Sequence, residues 1–104
     1  MIDVDKSHNG RELELPIGET LDLRLPENPT TGYRWQARAA GQPALELSQD
    51  SVERHGPAIG EGGVRRWTFR AVQAGVARLD MELRRSWEQR AVDTFSVVIR
   101  VAAP

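Results

Sequence analysis

Cysteine is absent from the 104 residues, which excludes disulfide staples, thiol catalysis and thiolate metal sites together. Only two histidines are present, His8 and His55. Each lies in a polar stretch without a metal-ligating partner at helical or hairpin spacing. No nucleophile is paired with a base, so the chain reads as a non-enzyme with no catalytic residue, no metal and no cofactor. Glu12, Glu14, Asp80 and Glu82 alternate with apolar residues and read as a solvated strand face rather than acid–base pairs.

An excess of either charge is also missing. Fourteen basic residues stand against 15 acidic ones, a net charge of -1, so nothing in the balance draws the chain to nucleic acid or an anionic membrane. Arg65-Arg66 and Arg84-Arg85 are basic pairs, but Glu and Asp surround them and aromatics make up only 6% of the chain. That is too sparse for interleaved stacking on bases. No apolar run approaches the ~20 residues that span a bilayer. Met1 to Lys6 lacks the basic-then-apolar pattern of an export signal. The expected location is cytoplasmic if the chain is complete, and periplasmic or secreted if a signal was removed.

What the sequence does have is alternation with period two, the mark of half-buried strands. Counting Ile2 to Val4 as the first strand, the inward positions are Leu13 and Leu15; Leu21, Leu23 and Leu25; Tyr33, Trp35 and Ala37; Leu45 and Leu47. They continue with Trp67, Phe69 and Ala71; Ala77, Leu79, Met81 and Leu83; and Phe95, Val97, Ile99 and Val101. Asp22, Arg24, Arg66, Thr68, Arg70 and the intervening residues of the other runs face outward. Pro16-Ile17-Gly18, Gly41-Gln42-Pro43 and Gln73-Ala74-Gly75 supply turns between them. Only Gln36 to Gly41 would tolerate a helix. One domain, residues 1–104, of all-β sandwich type is expected, with about two thirds of the extended chain's surface hidden on folding.

Three connections carry unusual residues. In Asn28-Pro29-Thr30-Thr31-Gly32, proline fixes one φ, glycine permits a positive one, and the polar side chains can bond neighbouring backbone. By itself this is a well-made turn. Gly56 to Gly63 holds four glycines in eight positions. It lacks the strand-to-helix context and following Lys-Ser or Lys-Thr of a phosphate cradle, and Glu61 would repel an anion. Arg84-Arg85-Ser86-Trp87-Glu88 sets a tryptophan among charges. That residue either caps the sandwich or anchors an interface.

In this order the motifs resemble the chagasin family of cysteine protease inhibitors, whose signature is Asn-Pro-Thr-Thr-Gly-aromatic, Gly-x-Gly-Gly and Arg-Pro-Trp. The matching residues are Asn28, Pro29, Thr30, Thr31, Gly32 and Tyr33; Gly60, Glu61, Gly62 and Gly63; and Arg85, Ser86 and Trp87. Ser86 replaces the family proline and leaves that loop more freedom to lose on binding. The resemblance implies an immunoglobulin-like β-sandwich with three binding loops at one end. It implies a monomer that blocks papain-like cysteine proteases, of the papain and cathepsin type, without covalent chemistry. Thr30, Thr31 and Gly32 would lie nearest the protease's catalytic cysteine, the glycine-rich loop and Trp87 would flank them, and Arg85 would add polar contacts. Tyr33 is expected to turn inward at the base of its loop. The alternative is a generic immunoglobulin-like binding or adhesion module with no protease target.

Overall fold

The computed structural model describes residues 1–28, 31–54 and 62–103. Among the described residues there are eight strands: β1 (Ile2–Val4), β2 (Glu12–Pro16), β3 (Thr20–Glu27), β4 (Arg34–Ala40), β5 (Leu45–Arg54), β6 (Gly63–Ala71), β7 (Gly75–Arg84) and β8 (Asp93–Ala102). They make two four-stranded sheets, ordered β1-β3-β6-β5 and β2-β8-β7-β4. The alternation explains the sandwich. Leu21, Leu23, Leu25, Trp67 and Phe69 on one sheet and Leu15, Trp35, Leu79, Met81, Phe95, Val97 and Ile99 on the other are all nearly inaccessible to solvent. Gln36 to Ala40 is strand, not helix.

The pattern over-reaches at the sheet edges. Ala37 and Leu47 lie opposite Met81 and Phe69, on the inner face as expected, yet both are exposed. β4 and β5 are the outermost strands of their sheets, and each breaks register just beyond these residues, between Ala37 and Ala39 and between Leu47 and Gln49. Bulges at an edge bend it and interrupt the ladder that another chain would extend.

The outer face of the first sheet holds one surprise. Asp22 was expected in solvent but is fully buried. Arg24 and Arg66 lie directly opposite one another on β3 and β6, where like charges repel. Asp22 offers one carboxylate oxygen to each, 3.1 Å from Arg24 Nε and 2.8 Å from Arg66 Nε. Glu53 takes a further bond from Arg66, and these hydrogen bonds hold the Arg66 pKa above its ordinary value. His8 likewise proves local: its Nδ1 accepts from the Asp5 backbone N–H at 3.1 Å and closes a short 3-10 turn over Lys6–His8. His55 lies outside the described residues.

Asp22→Ala is expected to lower the free energy of unfolding by about 1–3 kcal/mol, because two opposed guanidinium groups lose their shared acceptor. Arg70→Ala, on the same face and exposed, should change it by less than about 0.5 kcal/mol. Urea unfolding of both variants checks the contrast.

Candidate functional site

Register places three connections at one end of the sandwich. β3 ends at Glu27, which pairs with Gly63 at the start of β6, and Gly63 pairs on its other side with Arg54 at the end of β5. In the second sheet Arg34, which opens β4, pairs with Arg84, which ends β7, while Leu83 pairs with Asp93 at the start of β8. The stretches 28–33, 55–62 and 85–92 therefore all leave from this end. The second and third are hairpin connections within one sheet, whereas the first crosses between the sheets.

That crossing is fixed at its base by a buried carboxylate that the sequence reading missed. Glu27 is 2% exposed. Its Oε2 accepts from the Trp35 backbone N–H at 2.9 Å and from Arg65 Nη1 at 3.2 Å. The Trp35 indole N–H donates to the Pro26 carbonyl at 2.8 Å. The last residues of β3 are thus tied twice to the second residue of β4, across the gap between sheets. Arg65 is held in turn by both oxygens of Asp50, at 2.5 and 2.8 Å, and covers the Trp67 ring at 5.1 Å. The Asp50 hydrogen bonds raise the Arg65 pKa above its ordinary value against the opposing effect of burial, with the charges of Asp50 and Glu27 adding to the rise. A signal for this network was present. Glu27 continues the parity of Leu21, Leu23 and Leu25, and Arg65 that of Trp67 and Phe69, so both belong on the inner face.

Within the first connection Asn28 is half-buried. Its carbonyl accepts from the Thr31 backbone N–H at 3.2 Å and the Thr31 hydroxyl at 2.8 Å, and the same hydroxyl oxygen accepts from the Tyr33 N–H at 3.3 Å. Threonine in that place closes the turn from inside, as Asx and Ser/Thr turns do. Gly32 has φ +80°, where a side chain is strained, and a Cβ there would lie 3.5 Å from the Trp87 ring. Glycine is required by the backbone; the neighbouring ring would meet a Cβ only at ordinary contact distance. Pro29 and Thr30 lie outside the described residues.

Arg85 joins the first connection to the third. Its Nε donates to the Thr31 carbonyl at 3.3 Å, its guanidinium carbon sits 4.3 Å from the centre of the Tyr33 ring and 5.9 Å from that of Trp87, and Nη1 pairs with Glu88 at 3.3 Å. Tyr33 is accordingly not a core residue. It is half-buried, with the arginine stacked over it. Ser86 is exposed, in a turn closed by the Glu88 N–H on the Arg85 carbonyl at 3.1 Å. Arg84 braces that turn from below, with Nη1 on the Glu88 carbonyl, Nη2 on Gln36 and Nε on Glu82. Above these contacts Trp87 is 72% exposed, a large apolar ring left in water beside Gly32.

The glycine-rich segment divides. Gly60 and Glu61 lie outside the described residues, and Gly62 is exposed. Gly63 is buried inside β6, not in the loop. A Cβ on it would come within 2.7 Å of the Glu53 carbonyl oxygen and 3.0 Å of that of Glu27. Its lack of a side chain lets β3, β6 and β5 close up beneath the loops. Asn28, Thr31, Gly32, Tyr33, Arg85 and Trp87 are thus brought into one surface, with Gly62 and Gly63 at the stem beside Glu27.

Arg85→Ala should cost the fold less than about 1.5 kcal/mol, the scale of one exposed cation–π contact and one hydrogen bond. Its larger effect is expected on motion: backbone order parameters at Gly32 and Trp87 should fall while those of the strands hold. Arg85→Lys should not restore them, since an ammonium lacks the planar face that stacks on Tyr33.

A family model described as Chagasin family peptidase inhibitor I42 matches residues 14–99. Chagasin from Trypanosoma cruzi is 28% identical over 104 residues, covering 93% of this chain and 94% of its own length. Among solved structures, the cysteine protease inhibitor EhICP2 from Entamoeba histolytica aligns with a TM-score of 0.87 at 18% identity, over 97% of this chain and 95% of that one. PbICP-C, determined in complex with falcipain-2, aligns with a TM-score of 0.67 at 14% identity over 100% of both chains. At these identities the structural likeness speaks to the fold.

Proposed function

Because the chain belongs to the chagasin family of peptidase inhibitors, we propose that it inhibits papain-like cysteine proteases by seating the loop end of the sandwich in their active-site cleft. It is an inhibitor, not an enzyme. The observation that carries the proposal is the fusion of the first and third motifs into one surface, with Trp87 exposed beside Gly32 and Arg85 bonded to Thr31. A neighbour of the same fold is seen bound to falcipain-2, which supports the choice of target class. A generic adhesion module is not favoured, since it would leave the ordered motifs and the family match without a cause.

Thr31 and Gly32, with Thr30 before them in the chain, would face the catalytic cysteine. Trp87 would pack on the enzyme surface to one side, and Gly60 to Gly63 would meet it on the other. No covalent step is involved: the surface fills the cleft without offering a peptide bond in position for attack. A stable contact of this kind hides about 800 Å² per partner, more than one short loop supplies. All three connections would therefore engage together, and ties that already exist in the free chain lower the ordering cost. Arg85 would contribute chiefly by holding Thr31 and Trp87 in register, with Asn28, Pro29 and Tyr33 shaping the loop that enters.

Titration of papain or a cathepsin should abolish activity near stoichiometry and shield the active-site thiol from an alkylating reagent; full activity at micromolar excess of this protein would overturn the proposal. Trp87→Ala should weaken inhibition by about 2 kcal/mol, or about thirtyfold in the inhibition constant, with an unchanged melting profile. Inhibition as strong as the parent's would remove Trp87 from the interface.

A further inference from the structure

The binding end is electrically lopsided. On the first sheet Arg65 is paired with Glu27 and Asp50, and Arg66 with Asp22 and Glu53. On the tryptophan side, residues 34–38 and 82–93 carry Arg34, Arg38, Arg84, Arg85 and Arg90 against only Glu82, Glu88 and Asp93. Those three carboxylates are already engaged. Glu82 is shared by Arg84 at 2.9 Å and Arg38 at 3.9 Å, Glu88 takes Arg85, and Asp93 takes Lys6 at 2.7 Å. Arg34 and Arg90 are exposed and form no ion pair among the described residues. Arg34 is two residues from Gly32 and faces Arg84 across the ladder; Arg90 is three residues beyond Trp87. A chain with a net charge of -1 therefore concentrates surplus positive charge around its exposed aromatic anchor.

We propose that this flank is matched to papain-like proteases whose cleft rim is acidic on the side that receives Trp87, with Arg34 and Arg90 setting association rate and selectivity. The inference rests on the function proposed above and names the partner chemistry that function leaves open. Unpaired cations at the rim of an interface act on encounter more than on residence. They steer an oppositely charged partner into place, and they repel a partner of like sign. Among the described residues neither side chain hydrogen-bonds or pairs with Gly32, Trp87 or Glu27, so their charge can be altered while those ties are kept.

The test compares the parent with the double variant Arg34→Glu/Arg90→Glu. Association and dissociation rates are taken from inhibition progress curves on papain-like proteases with acidic and with basic cleft rims. Salt is set at about 10 mM and about 1 M, which moves the screening length from about 30 Å to about 3 Å. For the acidic-rimmed enzyme the parent's association rate should fall at least about tenfold with salt. The variant should start slow, change little with salt and prefer the basic-rimmed enzyme, while dissociation rates and melting profile match the parent's. Parental association that ignores both salt and rim charge, or a variant that associates like the parent, overturns the inference while inhibition itself stands. A parent that inhibits neither enzyme overturns the proposed function and this inference with it.

Discussion

The loop end depends on one buried carboxylate. Glu27 ends β3, an inner strand of the first sheet, and its oxygen receives the backbone N–H of Trp35 from the second sheet and the guanidinium of Arg65 from its neighbour strand. Removing a charge's partners in such a place is costly, because what remains is a buried ion without compensation. The crossing connection has no ladder of its own to hold its two ends. Its geometry follows from this cluster and from the packing of the sheets, and everything above it inherits that placement.

Order then passes upward through a chain of short contacts. Trp35 fixes the start of β4, the Asn28 carbonyl and Thr31 hydroxyl shape the turn, and Arg85 carries that shape to the third connection through Thr31 and Tyr33. Ser86 gives up the stiffness a proline would supply, and the bracing of its turn by Arg84, Arg85 and Glu88 works in the opposite sense. Rigid presentation here is built from side-chain contacts between loops, not from the backbone of any one of them.

Much of this was legible in the sequence, for a definite reason. Period-two alternation determines inside from outside wherever a strand is flanked by others, and the core of β3, β6, β7 and β8 follows it. At Ala37 and Leu47 the rule gave the correct face but not the burial, since an outermost strand has nothing over its free side. Asp22 broke the rule from the other direction, because two arginines covered it. Glu27 and Arg65 sit on the inner parity, where alternation of apolar residues gives no sign of a charged pair. The contact of Arg85 with Thr31, 54 residues away, has no local signature and required the fold. Gly63 was read with the loop it follows, although its glycine character serves the three strands that meet there.

The squeeze at Gly63 has a consequence for how such a protein can change. With Glu27, Gly63 and Arg54 paired in a row, the ladder fixes both ends of the stretch 55–62 before any of its residues contribute. Closing a loop between fixed ends depends only weakly on its length, about 0.6 kcal/mol for each doubling. Insertions, deletions and substitutions between those ends are therefore nearly decoupled from the folding of the sandwich. What that segment binds, not the sandwich, sets its composition, while the glycine at its foot is held by the crowding of the backbone around it.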